Sequence, residues 1–222
     1  MTSRPTAPED WLDLLESTLE AFDEAGGHRV LSRLFEDVPV EEALATVVLP
    51  YLHAIGERWA KGSIGVAQEH FASNVLRSRL SLLMQAESRD SGPLAVLACL
   101  PGEHHEFGLM AMALTLSRLG WRTCYLGPST PTAELALTCH TLQPAAAILS
   151  AHRPTAYAAR GPELRRLART TNVYIGAQGA SGELAGLCHA THLKGDPVSG
   201  AREVHAAQGA DAGSALEASA AG

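Results

Sequence analysis

The hydrophobic period of this chain changes once, near residue 90, and this change constrains the fold more than any single motif. Between residues 9 and 87 apolar side chains recur every three or four positions, which is the period of amphipathic helices. Beyond residue 93 short apolar runs, such as residues 94–100 and 145–149, alternate with helical stretches. Such runs indicate strands buried on both faces in parallel β-α-β units. We therefore predict a four-helix bundle over residues 9–87, followed by a Rossmann-like (flavodoxin-like) doubly wound parallel sheet over residues 93–205.

Two local features are predicted from residue type. Pro50 lies inside the second helical stretch, where proline removes a backbone donor and should kink the helix or mark an irregularity. Residues 206–222 are rich in Ala, Gly and Ser, a composition that predicts a disordered tail.

Composition argues against several classes of function. The net charge is -7 and no run of Lys and Arg is present, whereas nucleic-acid binding needs a basic face. No stretch of eighteen apolar residues is present to cross a membrane, and the N-terminal residues lack the pattern of a signal peptide, so we expect a cytoplasmic protein. The four cysteines are scattered without C-x-x-C spacing, which argues against a zinc or iron–sulfur site built from them.

Residues that carry chemistry follow three of the predicted strands. In open α/β sheets, ligands bind at the carboxyl ends of the strands. We therefore expect an imidazole, a hydroxyl and glycine backbone to converge on one edge of the sheet. The loop after the first strand contributes Glu103, His105 and Gly108. The third strand ends with Ser150 and His152, and the fourth with Gly176 and Ala177.

The spacing of these residues resembles the D-x-H-x-x-G motif of cobalamin-binding domains, with Glu103 in the place of the Asp. In that family a histidine displaces the cofactor's own dimethylbenzimidazole from cobalt, and the nucleotide tail threads into the edge of the sheet. The resemblance implies that His105 is the lower axial ligand of the cobalt. It also implies that Glu103 accepts a hydrogen bond from the second ring nitrogen and thereby fixes the tautomer.

The same resemblance assigns roles around the nucleotide tail. Ser150 would hydrogen-bond the benzimidazole, and Gly176 would let the backbone pass close to it. Ala177 stands where the family usually has a second glycine, so its methyl group would narrow the tunnel. His152 has two readings: it lines the tail tunnel, or it is a buried histidine with satisfied hydrogen bonds.

The helical half carries a second resemblance. In this half, Trp59 is followed after nine residues by Glu69 and His70. This spacing is similar to a motif of the light-sensing, MerR-type cobalamin-dependent regulators. In those proteins a helical bundle caps the upper face of the corrin, and the Trp, Glu and His contact the adenosyl group. The resemblance spans residues 10–205 and implies adenosylcobalamin as the cofactor, with an aromatic cap that excludes water from a weak cobalt–carbon bond.

The implied function is a light sensor and not an enzyme. Light would cleave the cobalt–carbon bond, and the resulting conformational or oligomeric change would signal through a homodimer or a separate effector protein. The regulators usually carry an N-terminal DNA-binding domain of the winged helix-turn-helix type, which this sequence lacks, so we expect no direct DNA binding. They also have a His after the Trp, where this sequence has Ala60.

Three alternatives stay open. The chain also resembles the photocobilins, which add a linear tetrapyrrole such as biliverdin, although the sequence identifies no bilin pocket. It could instead be the corrinoid carrier subunit of a methyltransferase system, in which the upper face must stay open; Trp59 favours adenosyl over methyl. A cobalamin-binding anti-repressor or adaptor would differ only in its response to light. A zinc site at residues 103–106 is disfavoured, because the turn offers no third, separated ligand.

Overall fold

The computed structural model describes residue 5 and residues 7–220, with side chains as far as residue 210. The chain divides into two compact units, Met1–Gln85 and Ala86–Gly222. Across the described residues, every helix is too short or too polar to span a lipid bilayer.

The first unit is helical, as predicted. Its core is formed by the apolar stripe of each helix, and Trp11, Leu31 and Val48 are almost completely buried. This burial of one face per helix is what the three-and-four spacing indicates. The elements are α1 (Pro8–Glu20), α2 (Glu24–Asp37), α3 (Val40–Ala43), a π-helical segment (Leu44–Val48), α4 (Leu49–Ala60) and α5 (Val66–Ala86).

The irregularity expected at Pro50 is the π-helical segment that precedes it. Pro50 has no N–H group to donate to the carbonyl of Thr46, so the ordinary helical ladder is interrupted there. The N–H of Leu49 instead donates to the carbonyl of Leu44, five residues earlier. The chain thereby turns from α3 into α4 without leaving the helical path.

The second unit is a five-stranded sheet in which every pairing is parallel. The strand order β2-β1-β3-β4-β5 is the flavodoxin-like order, so the predicted fold class is confirmed. The strands are β1 (Leu94–Cys99), β2 (Arg122–Gly127), β3 (Ala146–Ser150), β4 (Asn172–Gly176) and β5 (Thr191–His192), and the helices between them are α6 (Phe107–Arg118), α7 (Thr132–Leu142), α8 (Pro154–Ala158), α9 (Gly161–Leu167) and α10 (Gly182–Cys188).

The composition of residues 206–222 predicts a disordered tail. Helix α11 (Pro197–Ala220) continues through residues 206–220, and residues 221–222 lie outside the described part of the chain. Alanine, the residue that made this segment look simple, is also the strongest helix former. The helix is attached to the sheet unit through Trp121, whose indole N–H donates to Nδ1 of His205 at 3.1 Å.

Candidate functional site

The loop that leaves β1 is fixed by backbone hydrogen bonds to the loop that leaves β2. Gly102 has a φ of 82°, which glycine adopts without strain, and its N–H donates to the hydroxyl of Ser129 at 3.0 Å. The N–H of Ser129 donates to the carbonyl of Glu103, and that of Thr130 to the carbonyl of Cys99. These contacts hold Glu103 and the residues after it in one position at the carboxyl end of the sheet.

The carboxylate of Glu103 is the centre of this loop. The side chain is almost fully buried, and its Oε1 accepts the backbone N–H groups of His104 and His105, both at 2.8 Å. Oε1 also lies 2.6 Å from Nδ1 of His105. The second oxygen, Oε2, accepts the backbone N–H of His152 at 2.6 Å, so one carboxylate joins the loops that follow β1 and β3.

These hydrogen bonds determine the ionisation of Glu103. Burial by itself raises the pKa of this carboxyl, but the N–H groups of His105 and His152 and the ring of His105 stabilise the anion and hold its pKa at about 2. The group is therefore ionised at neutral pH and can act as the acceptor that the sequence predicts.

His105 presents its imidazole to solvent. Its side chain is 74% exposed, although Nδ1 is bound to Glu103. When the Nδ1–H group donates a hydrogen bond to the carboxylate, Nε2 has a free lone pair and can coordinate a metal. The structure thus brings Glu103 and His105 together as hydrogen-bond partners, and the role of His105 as a metal ligand stays a prediction.

His152 lies against His105, and its place in the tail tunnel stays a prediction. The two rings have centroids 4.5 Å apart and are tilted by 48°. Among the described residues, Nδ1 of His152 is buried and has no hydrogen-bond partner. Its 3.5 Å distance from Oε2 of Glu103 is too long for a hydrogen bond. Burial lowers the pKa of His152, and the neighbouring His105 lowers it further, against a partial opposing effect of Glu103.

A cavity of about 100 Å³ opens beside this loop, at the carboxyl ends of β3 and β4. We call it the carboxyl-end cavity. Four predicted residues, Gly108, Ser150, Gly176 and Ala177, line it together, while His152 does not. Sequence reasoning missed the walls that come from α6 and from the chain after β5: Met112, Leu193, Asp196 and Gly200.

The backbone conformation of Ala177 explains why a glycine would suit this position. Its φ is 66°, in the left-handed region where a Cβ atom is strained. Gly176 is followed directly by this turn, and a Cβ added to Gly176 would meet Cβ of Leu193 at 3.9 Å, an ordinary contact. The backbone strain therefore lies at residue 177.

The predicted residues of the helical unit occupy the end of α4 and the first turn of α5. Trp59 is 50% exposed, so it is not part of the bundle core. Glu69 and His70 form a pair, with Oε2 of Glu69 2.6 Å from Nδ1 of His70. The hydroxyl of Ser73 donates to Oε1 of the same carboxylate at 2.7 Å, which orients Glu69 from the following turn.

Two further contacts support the site and were not predicted. The hydroxyl of Tyr125 donates to Oε2 of the buried Glu106 at 2.6 Å, next to His105 in the chain. Asp196 accepts the N–H groups of Val198 and Ser199 at the start of α11. An Asp before a Pro is a common helix start, so the sequence held a signal for Asp196 but none for the pairing of Tyr125 with Glu106.

The chain matches one family model and is similar to two curated repressors. Residues 11–84 match the family model described as a B12 binding domain. This match covers 74 of the 222 residues, all of them in the helical unit. The chain is 37% identical over 142 residues to the HTH-type transcriptional repressor CarH of Myxococcus xanthus, and 36% identical over 156 residues to the repressor CarA of the same organism. These alignments cover 64% and 68% of this chain but 47% and 52% of the relatives, so the chain spans about half their length.

A solved structure shares the fold. The monomethylamine corrinoid protein of Methanosarcina barkeri matches with a TM-score of 0.75, over 90% of this chain and 100% of the other, at 14% sequence identity. At this identity the match supports the architecture of helices followed by a parallel sheet, and nothing about substrate or partner.

Proposed function

We propose that the protein is an adenosylcobalamin-binding light sensor in which His105 is the lower axial ligand of the cobalt. The observation that carries this proposal is the pairing of Nδ1 of His105 with the buried carboxylate of Glu103 at 2.6 Å. It leaves Nε2 as the ring nitrogen available to a metal on an exposed side chain. A histidine held in this way is a preorganised ligand.

The donor set fits a corrinoid. Cobalt accepts a neutral imidazole, and the ionised Glu103 keeps the proton of His105 on Nδ1. The carboxyl-end cavity lies beside the same loop, and its walls include apolar side chains such as Met112 and Leu193, which suit a flat aromatic base. When bound, adenosylcobalamin supplies a cobalt–carbon bond that light can break.

The residues of the cavity would hold the nucleotide tail. Ser150 provides a hydroxyl at the carboxyl end of β3 for a ring nitrogen of the benzimidazole. Gly108 and Gly176 leave space because they have no side chain. The methyl group of Ala177 narrows the entrance relative to a second glycine.

The helical unit would contact the upper ligand. Trp59 offers a half-exposed aromatic surface, which would exclude water from the adenosyl group. Glu69, oriented by Ser73, would accept hydrogen bonds from ribose hydroxyls, and His70 is held beside it. Loss of the adenosyl group would remove the partner of Trp59, and the change would be read as altered self-association or altered binding of an effector protein.

The test is the absorption spectrum of the pure chain with adenosylcobalamin, recorded in darkness and after green illumination. A rapid change to an aquo- or hydroxocobalamin-type spectrum, with a shift in oligomer size, is the expected result. A photostable complex that accepts methyl groups from a methyltransferase would instead identify a corrinoid carrier. Adding biliverdin tests for a second chromophore, which would give a new band at longer wavelength.

A further inference from the structure

We propose that Glu103, His105 and His152 form a binding site for Zn²⁺ in the corrinoid-free protein. One carboxylate oxygen and one imidazole nitrogen from each histidine lie within 4.8 Å of one another. Zinc prefers four ligands of this kind at about 2.0–2.2 Å, and sites with two His, one carboxylate and a water are common. The third ligand that the turn at residues 103–106 lacks is supplied from the end of β3.

The position of His152 is the strongest argument for an ion. Its Nδ1 atom is buried and has no hydrogen-bond partner in the part of the chain that the structure describes. A buried polar atom without a partner is costly. The nearest acceptor, Oε2 of Glu103, lies 3.5 Å away. That distance is close to the separation of two ligand atoms on one tetrahedral zinc ion, which is about 3.3–3.5 Å for bonds of the usual length.

The carboxylate has the capacity to bind the ion. Oε1 accepts the backbone N–H groups of His104 and His105. Oε2 accepts a single N–H group, that of the His152 backbone. A carboxylate oxygen has two lone pairs, so Oε2 keeps one for a metal. The carboxylate also supplies the negative charge that a divalent cation needs, next to two imidazoles.

Zinc at this position would exclude a corrinoid from His105. If Nδ1 of His105 binds zinc, its proton moves to Nε2, and Nε2 then has no lone pair for cobalt. The same ring therefore serves one metal at a time. This consequence rests on the proposed function, because it assumes that Nε2 of His105 is the cobalt ligand. The zinc site itself does not depend on that assumption.

Calorimetric titration of ZnSO₄ into the full-length, metal-free and corrinoid-free chain tests the site. We expect one ion to bind with a dissociation constant in the micromolar range or lower. His152→Ala, which keeps the backbone N–H, should weaken binding by at least about tenfold. The matched control is His104→Ala, an exposed neighbour whose backbone also donates to Glu103, and it should bind as the wild type does.

Three results would overturn the proposal: no heat of binding at micromolar zinc, equal affinity in wild type and His152→Ala, or an equal loss in His104→Ala. Thermal unfolding of each variant shows whether a loss of affinity reflects loss of fold. Competition is a separate arm, in which adenosylcobalamin should release the bound zinc to an indicator dye. A chain that binds zinc but no corrinoid refutes the proposed function alone, and one that binds corrinoid but no zinc refutes this site alone.

Discussion

Replacing Glu103 by Gln should destabilise the sheet unit and show how its carboxylate organises the site. The carboxylate receives four N–H groups: the backbone N–H of His104, the backbone and ring N–H of His105, and the backbone N–H of His152. A glutamine can accept through one oxygen only, and its NH₂ group would face the N–H of His152. At least one buried donor would then lose its partner.

The expected size of this effect follows from ionisation. The pKa of Glu103 falls from 4.5 to about 2 in the folded protein, and such a change is equivalent to roughly 3 kcal/mol of stability at neutral pH. Because the folded pKa is the lower one, this stability is fully present above about pH 4.5. It is lost progressively as the pH falls through about 2, below which the carboxyl is protonated in both states.

Urea unfolding of wild type and Glu103→Gln at pH 7, 4 and 3, followed by circular dichroism, measures the difference. We expect a gap of about 3 kcal/mol at pH 7 that narrows at pH 4 and further at pH 3. Glu203→Gln, on the exposed surface of α11, is the control and should change little. A gap below about 1 kcal/mol at pH 7, or a gap that widens in acid, would refute this reasoning.

Three further substitutions have distinct expected outcomes. Ala177→Gly should raise the free energy of unfolding by about 1 kcal/mol in urea titrations, because it removes a Cβ from left-handed backbone. Gly200→Ala should stabilise α11 by about 0.5–1 kcal/mol, since the added Cβ would meet Met112 and Leu193 at ordinary distances of 3.5 and 3.6 Å. The same substitution should narrow the carboxyl-end cavity and so lower the corrinoid affinity measured by spectrophotometric titration. Trp59→Ala should speed loss of adenosylcobalamin on gel filtration by about tenfold and that of methylcobalamin much less; equal effects would argue against an adenosyl cap.

The fold was largely predictable because its signals are local. Buried runs such as residues 94–100 predict strands by their length and spacing, and parallel pairing follows from the helices between them. The C-terminal segment has no such signal, because alanine is compatible with both a simple tail and a helix. A helix after Asp196 follows from the sequence, whereas the hydrogen bond that joins it to Trp121 through His205 is a tertiary contact that periodicity does not reveal.

The site was predictable only where its residues are close in sequence or follow strand ends. Glu103 and His105 are two residues apart, and their hydrogen bond follows from the motif. The ring of His152 reaches His105 from 47 positions away in the chain, and its unpaired Nδ1 depends on packing that no spacing encodes. The same holds for the hydrogen bond between Tyr125 and Glu106.

The cobalt ligand can be identified by electron paramagnetic resonance of cob(II)alamin bound to ¹⁵N-labelled protein. An axial nitrogen splits the cobalt lines, into triplets for ¹⁴N from the cofactor's own base and into doublets for ¹⁵N from the protein. We predict doublets in the labelled wild type and no nitrogen splitting from the protein in His105→Ala. Triplets in the labelled wild type, or doublets that persist in His105→Ala, would contradict the assignment of His105 as the lower axial ligand.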